Sequence, residues 1–274
     1  MPDSRRRLRR PDRGHGRHQP EDAGDIRVAV VTGGSSGIGA ALARLLARRG
    51  WRCVLLARGK ERLEALAAEI GAEAEPCDVG DRAQVEEVAA RVASRHRAVH
   101  LLVNNAGIPG RGKFLDFDAE RIEEVVRTNY LGSVWTTRAF LPQLEAAGSA
   151  HVVNVVSVAG LVAHGASGPY SASKHAQLAF SRGVGTELAQ RGIRVHTVCP
   201  GPVETPGFPQ RSLRRRAVRR TVLQPDQVAE TILAAVERDR AEVVVPRYLR
   251  LAAVAQAVLP TTVTRLATRL RGRP

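Results

Sequence analysis

From Ile26 the chain reads Ile26-Arg-Val-Ala-Val-Val-Thr32-Gly-Gly-Ser-Ser-Gly-Ile-Gly39, a short β-branched apolar run cut off by glycines. The run suits a buried strand, and beyond the glycines Ile38, Leu42, Leu45 and Leu46 recur at helical spacing as far as Gly50. Strand, glycine turn and helix in this order leave free backbone N–H groups and a positive dipole end where a pyrophosphate can approach the main chain. A glycine turn alone is weak evidence for a nucleotide, because an ordinary βα turn has the same outline.

The same alternation continues on the C-terminal side. Strand-like runs fall at 52–57, 72–76, 99–104, 150–157, 193–198 and 242–245, with helical patterns at 60–70, 81–94, 118–146, 169–190 and 225–238. Strands apolar on both faces and separated by helices imply a parallel sheet covered on each side. The expected fold is α/β: a doubly wound, Rossmann-type parallel sheet of about seven strands, one domain over residues 26–246. Residues 1–25, rich in Arg, Gly, Pro and Asp with no apolar period, are expected to be a disordered basic arm, and 247–274 a basic amphipathic helical tail interrupted at Pro260. Residues 201–224, Pro-rich and then Arg-rich, are long for a connection and are a candidate active-site lid.

The net charge of +15 suggests a polyanionic partner until it is apportioned. Residues 1–20 hold seven Arg against two Asp, residues 211–220 and 247–274 six Arg each and no acid, and the remainder totals −2. The body is therefore nearly neutral, and no nucleic-acid partner is expected. Lysine occurs only three times, at 60, 113 and 174, among 42 basic residues, which singles out each one. Cys53, Cys77 and Cys199 show no paired spacing and the eight histidines no ligand spacing, so neither a disulfide framework nor a metal site is expected. With no export signal behind the basic N-terminus and no apolar run of membrane-spanning length, a cytoplasmic setting fits, peripheral membrane contact through the tail being left open.

Two further features carry chemistry. Arg58 ends the second strand, where an NAD-preferring unit would place a carboxylate for the ribose 2′-hydroxyl; an arginine there pairs instead with a 2′-phosphate, which favours NADP(H) and leaves NAD(H) open. Tyr170-Ser-Ala-Ser-Lys174 sets a phenol and an ammonium on one helix face, and a nearby cation favours the phenolate, so the pair can exchange a proton with an alcohol or carbonyl oxygen. Ser157, at the end of the strand 150–157, lies on the carboxyl edge where open α/β sheets bind ligands and could hydrogen-bond the reacting oxygen.

Together these motifs, in this order over residues 26–246, resemble the short-chain dehydrogenase/reductase family in its common form of about 250 residues. Thr32-Gly-Gly-Ser-Ser-Gly-Ile-Gly39 has the spacing TGxxxGxG of the family's cofactor turn, Asp78 is similar to its adenine-contacting acid, and Asn104-Asn-Ala-Gly107 to its fourth-strand motif. The resemblance implies a catalytic tetrad of Asn129, Ser157, Tyr170 and Lys174. It implies cofactor contacts from Gly33, Ser35, Ser36, Gly37, Ile38, Gly39, Arg58, Asp78, Val79, Asn105, Ala106, Gly107, Tyr170, Lys174, Pro200, Gly201, Val203 and Thr205. In that scheme Tyr170 is the acid in reduction and the base in oxidation, Lys174 lowers its pKa and binds the nicotinamide ribose, Ser157 orients the carbonyl, and Asn129 holds a water in a proton relay.

The expected activity is hydride transfer between NADP(H) and a small-molecule carbonyl or alcohol, hydrophobic or lipid-like, by a homodimer or homotetramer. Two other readings stand beside it: a non-catalytic cofactor-binding regulator, against which the complete tetrad counts, and association with a membrane surface or nucleic acid through the arm and tail. The Arg-rich 211–220 segment either meets an anionic substrate group or is a solvated helix face.

Overall fold

The computed structural model describes residues 26–110, 112, 114–163, 168–210 and 222–270. The N-terminal arm, Lys113, His164 and the Arg-rich part of the expected lid, 211–220, lie outside the described residues.

Seven strands among the described residues form one parallel sheet: β1 (Val28–Thr32), β2 (Arg52–Ala57), β3 (Glu73–Pro76), β4 (Leu101–Asn104), β5 (Ala150–Val155), β6 (Ile193–Pro200) and β7 (Glu242–Val245). Their spatial order is β3-β2-β1-β4-β5-β6-β7. Val30 sits opposite Val54 on one side and Leu102 on the other, so β1 is central and buried along its whole length. Alternate residues of β1 feed two cores, as the strand period of two requires. Ala29 and Val31 pack with Leu42 and Leu46 of α1 (Gly37–Arg48), Leu63 of α2 (Lys60–Ile70) and Ile232 of the helix that follows residue 224. Val28 and Val30 pack on the opposite face with Val85 and Val92 of α3 (Arg82–Arg95), Phe140 and Leu144. The chain winds outward in both directions from β1 and β4, which opens a crevice at their carboxyl ends.

Two elements differ from expectation. The strand expected over 150–157 ends at Val155, and Ser157 instead starts a 3₁₀ turn, Val158–Gly160, its Oγ accepting from Ala159 N at 3.1 Å. The single helix expected over 118–146 is divided into α4 (Ala119–Val126), a π-helical turn (Arg127–Leu131), α5 (Gly132–Ala139) and α6 (Leu141–Ala146). Pro142, with no N–H to give, stands in the first turn of α6 and accounts for the second break. The π turn adds a residue to the helix without disturbing its apolar stripe, so periodicity does not register it.

The remaining helices are α7 (Gly168–Ala189), α8 (Pro225–Glu237), α9 (Leu249–Val258) and α10 (Pro260–Leu270). The last two form the expected helical tail, which is docked to the body: Leu249 packs with Val156, Leu178, Cys199 and Val244. Gln256 accepts from Ala163 N and donates to Ala163 O, both at 2.7 Å. Among the described residues no helix is long and apolar enough to cross a membrane.

Candidate active site

The turn after β1 is built by hydrogen bonds from β4. Thr32 Oγ1 donates to Val103 O and accepts from the backbone N–H groups of Asn105 and Ala106, each at 3.0 Å. Asn105 Nδ2 reaches back to Thr32 O at 2.9 Å and Gly33 O at 3.3 Å. Gly33 has φ +63, and a Cβ there would stand 2.9 Å from Ala106 Cα, so both the left-handed backbone and the close approach require glycine. At the start of α1 no side chain caps the helix, which leaves the first-turn N–H groups to face the crevice.

Ser157, Tyr170 and Lys174 converge at the other end of the same crevice. Gly160 makes this possible: a Cβ would lie 2.6 Å from Lys174 O, so the turn carrying Ser157 can press against α7 only with no side chain there. Tyr170 is 9% exposed and its ring meets Phe208 at a centroid distance of 5.5 Å. Asn129 lies in the π turn, fully buried, its Oδ1 accepting from Ile108 N at 2.7 Å and its Nδ2 donating to Ile108 O and Ser173 Oγ, both at 3.1 Å. It clamps the segment after β4 to α7 from behind the cleft. His175 is exposed, its ring near Ser171 O and turned from Lys174.

Lys174 is 3% exposed, and its ammonium donates to Val155 O at 3.0 Å and Gln177 Oε1 at 2.7 Å. Burial pulls its pKa down to about 7 from an ordinary 10.5. Behind it lies a polar interior that sequence reasoning missed. Gln177 Nε2 donates to Ser133 Oγ at 2.7 Å, Thr136 Oγ1 donates to Asn104 Oδ1 at 2.6 Å, and Asn104 Nδ2 donates to Asn154 Oδ1 at 2.9 Å. Asn154 in turn donates to Ser181 Oγ, which shares a hydrogen bond with Thr197. The available signal was the helical spacing of Tyr170, Lys174, Gln177 and Ser181, which places polar groups on the core-facing side of α7.

At the opposite end, Arg58 Nη1 lies 3.3 Å from Glu124 Oε1 and 3.7 Å from Asp78 Oδ2, with its side chain 52% exposed. The guanidiniums of Arg58 and Arg121 hold the Glu124 carboxyl below its ordinary range, Arg121 contributing most. Arg62, not singled out from sequence, lines the same end together with Ser35, Asp78 and Val79.

The crevice consists of two adjoining clefts of about 420 and about 400 Å³ that share Gly33, Ser36, Ala106 and Gly107. The larger one brings Gly37, Ile38, Asn105, Ser157, Tyr170, Lys174, Pro200, Gly201, Val203 and Thr205 together. Of the catalytic and cofactor-contacting residues that the resemblance implies, only Gly39 and Asn129 line neither cleft; Gly39 packs on the Gly33 carbonyl, where a Cβ would stand 2.3 Å away. The outer wall is apolar, formed by Val158, Val162, Phe208, Tyr248 and Leu249, the last two from the segment that leads into the tail. The three cysteines are buried free thiols, each pushed up to about 12 by burial.

The family model for short chain dehydrogenases matches residues 27–215. A Streptomyces coelicolor protein named as a ketoacyl reductase is 43% identical over 192 residues, covering 66% of this chain and 72% of that protein. Among solved structures, a variant actinorhodin polyketide ketoreductase with NADPH superposes with a TM-score of 0.74 at 33% identity, covering 80% of this chain and 95% of the other. A short-chain dehydrogenase/reductase from Burkholderia phymatum in complex with NAD gives a TM-score of 0.76 at 28% identity, covering 85% and 93%.

Proposed function

The chain belongs to the short-chain dehydrogenase family of oxidoreductases, and we propose that it is an NADP(H)-dependent reductase of hydrophobic carbonyl compounds, with β-ketoacyl thioesters the first class to test. One observation carries this reading: Ser157, Tyr170 and Lys174 open onto the same cleft as the Gly33–Ile38 turn. The donor set fits a dinucleotide phosphate, with uncapped N–H groups at the start of α1 and the Arg58 and Arg62 guanidiniums at the far end, while the Asp78 carboxylate in the same cleft can accept from a cofactor N–H or hydroxyl. When bound, a nicotinamide supplies the hydride for reduction or accepts it in oxidation.

The chain's own residues handle the proton. Tyr170 donates its phenolic proton to the carbonyl oxygen as that oxygen gains charge, and the Lys174 ammonium on the same helix face stabilises the phenolate left behind. Ser157 Oγ, held at the head of its turn, donates a hydrogen bond to the same oxygen. Phe208, Val162 and Leu249 exclude water from the reacting carbon and favour an apolar substrate body. Tyr170→Phe is expected to lower kcat by about 10²–10⁴-fold while NADPH binding stays within a fewfold of wild type. Stopped-flow turnover and cofactor fluorescence titration measure the two quantities; undiminished turnover in this variant overturns the reading.

The tail supports a second association. The outward side of α9 is apolar, with Leu251, Val254 and Val258 exposed at 73%, 58% and 70%. Arg247 and Arg250 at the start of α9 and Arg265 and Arg269 on α10 are exposed, and no acid occurs from 247 to 274. Two copies meeting through this face would bring like charges together, whereas an anionic bilayer satisfies both the apolar stripe and the arginines. Cosedimentation with phosphatidylcholine vesicles is expected only when phosphatidylglycerol is included, and to be lost in Leu251→Glu/Val258→Glu. Binding unchanged in that double variant refutes this surface. A homodimer or homotetramer built on α4, α5 and α7 is the expected assembly, measured by light scattering.

A further inference from the structure

We propose that Gln177 is a positioning residue for the same reaction, holding the Lys174 ammonium at the cleft through its Oε1 while Ser133 anchors its amide end. The proposal rests on the reading of Tyr170 and Lys174 as the proton-handling pair. Gln177 is 0% exposed, on the buried side of α7 next in sequence to the apolar Leu178. An amide buried there without partners would be costly, yet both of its ends are engaged, at 2.7 Å to Lys174 Nζ and 2.7 Å to Ser133 Oγ.

The ammonium needs this partner. A buried cation is normally met by a carboxylate, but here Lys174 Nζ donates to two neutral oxygens, Val155 O and Gln177 Oε1. The peptide carbonyl belongs to β5 and cannot adjust, so the side-chain amide is the adaptable partner. Ser133 sits on α5 directly after the π turn that carries Asn129, so Gln177 also couples the position of Lys174 to the clamp on Ile108. Among the described residues the titratable groups facing Lys174 are Tyr170 on its own helix and Cys199 on β6; β5, α5 and the turn after β4 present Val155, Ser133 and Gly107. The Cys199 thiol, pushed up to about 12, stays neutral at neutral pH. Burial brings Lys174 to about 7, and a hydrogen bond from the ammonium to Gln177 Oε1 favours the charged form where burial opposes it.

The chain's scarcity of lysine makes the test direct. Selective ¹⁵Nζ-lysine labelling gives three signals, for residues 60, 113 and 174, and Lys174→Arg identifies one of them. Gln177→Leu is expected to move the Lys174 midpoint down by about one pH unit, the size that one hydrogen bond to a charged group supports. Gln177→Glu, close in shape to the amide, is expected to move it up. The alkaline limb of kcat should follow in each case, since activity is lost as the ammonium deprotonates; at a pH above the midpoint, Gln177→Leu then turns over about tenfold more slowly. Melting curves and circular dichroism verify that each variant is folded, and Gln177→Glu carries the test if Gln177→Leu does not fold. Midpoints and pH limbs equal to wild type in folded variants overturn the proposal. Shifted midpoints in a protein that reduces no carbonyl substrate overturn the functional reading instead and leave the Gln177 contact standing.

Discussion

Arg58 and Lys174 carry the same formal charge at opposite ends of one crevice, in opposite surroundings. Arg58 is half exposed, shared between Glu124 and Asp78, and screened by water. Lys174 is 3% exposed and held by two neutral oxygens. A charge in water is cheap and exchangeable, so in the proposed function Arg58 would tune which cofactor binds and with what salt dependence. A charge removed from water is costly and has its pKa displaced, so in the proposed function Lys174 would tune proton transfer at the expense of stability. The rarity of lysine in this chain fits that division: a guanidinium stays charged at any accessible pH, whereas an ammonium brought to about 7 can respond near neutrality.

The largest expected effect comes from neutralising the buried end. Lys174→Met should lower kcat by at least about 100-fold, within the range for a lost acid–base partner. The same variant tests the cost of burial. Between about 7 and 10.5 the unfolded chain binds the proton that the folded chain has lost, so the contribution of Lys174 to stability rises with pH across that window. It is complete above 10.5 and is lost as pH falls through about 7. The Tm of Lys174→Met relative to wild type should therefore be more favourable at pH 6 than at pH 9. Equal differences at the two pH values would show that the ammonium is solvated, and the contrast between the two ends would collapse.

Much of this division is local in the sequence. The Thr32–Gly39 turn, the strand and helix alternation and the Tyr170–Lys174 spacing are short-range patterns, and the structure places all three in register with one another. What sequence could not show is contact at long separation. Gln177 meets Ser133 across 44 positions and Gln256 meets Ala163 across 93, and a glutamine at helical spacing looks the same whether it faces water or the sheet. The π turn at Asn129 escaped for a different reason, because one extra residue in a helix leaves the apolar stripe nearly intact. The tail's composition is that of a basic amphipathic helix that could rest on a membrane, pack on a partner subunit or cover the substrate cleft, and only its long-range packing places Tyr248 and Leu249 in the cleft lining.

The exposed end should respond more gently, and in both directions. Arg58→Asp is expected to weaken NADPH binding by about 10–100-fold, the value of a charge-assisted contact to phosphate, with NADH binding little changed. Added salt should narrow that gap, because the site is open to solvent. Glu124→Gln should act oppositely and least. Its carboxylate competes for Arg58 at 3.3 Å and would repel a 2′-phosphate placed there, so removing the charge frees the guanidinium without removing a donor. Tightening of NADPH by about two- to fivefold is expected, on the scale of an exposed ion pair, with the ratio of NADPH to NADH affinity rising accordingly. Isothermal titration with both cofactors reads this directly. Glu124 also pairs with Arg121, which donates to Pro109 O at 2.7 Å, so the variant must be compared at matched Tm. If Glu124→Gln weakens NADPH while NADH is unaffected, the carboxylate orients Arg58 rather than competing with the phosphate, and the exposed end is preorganised in the same sense as the buried one.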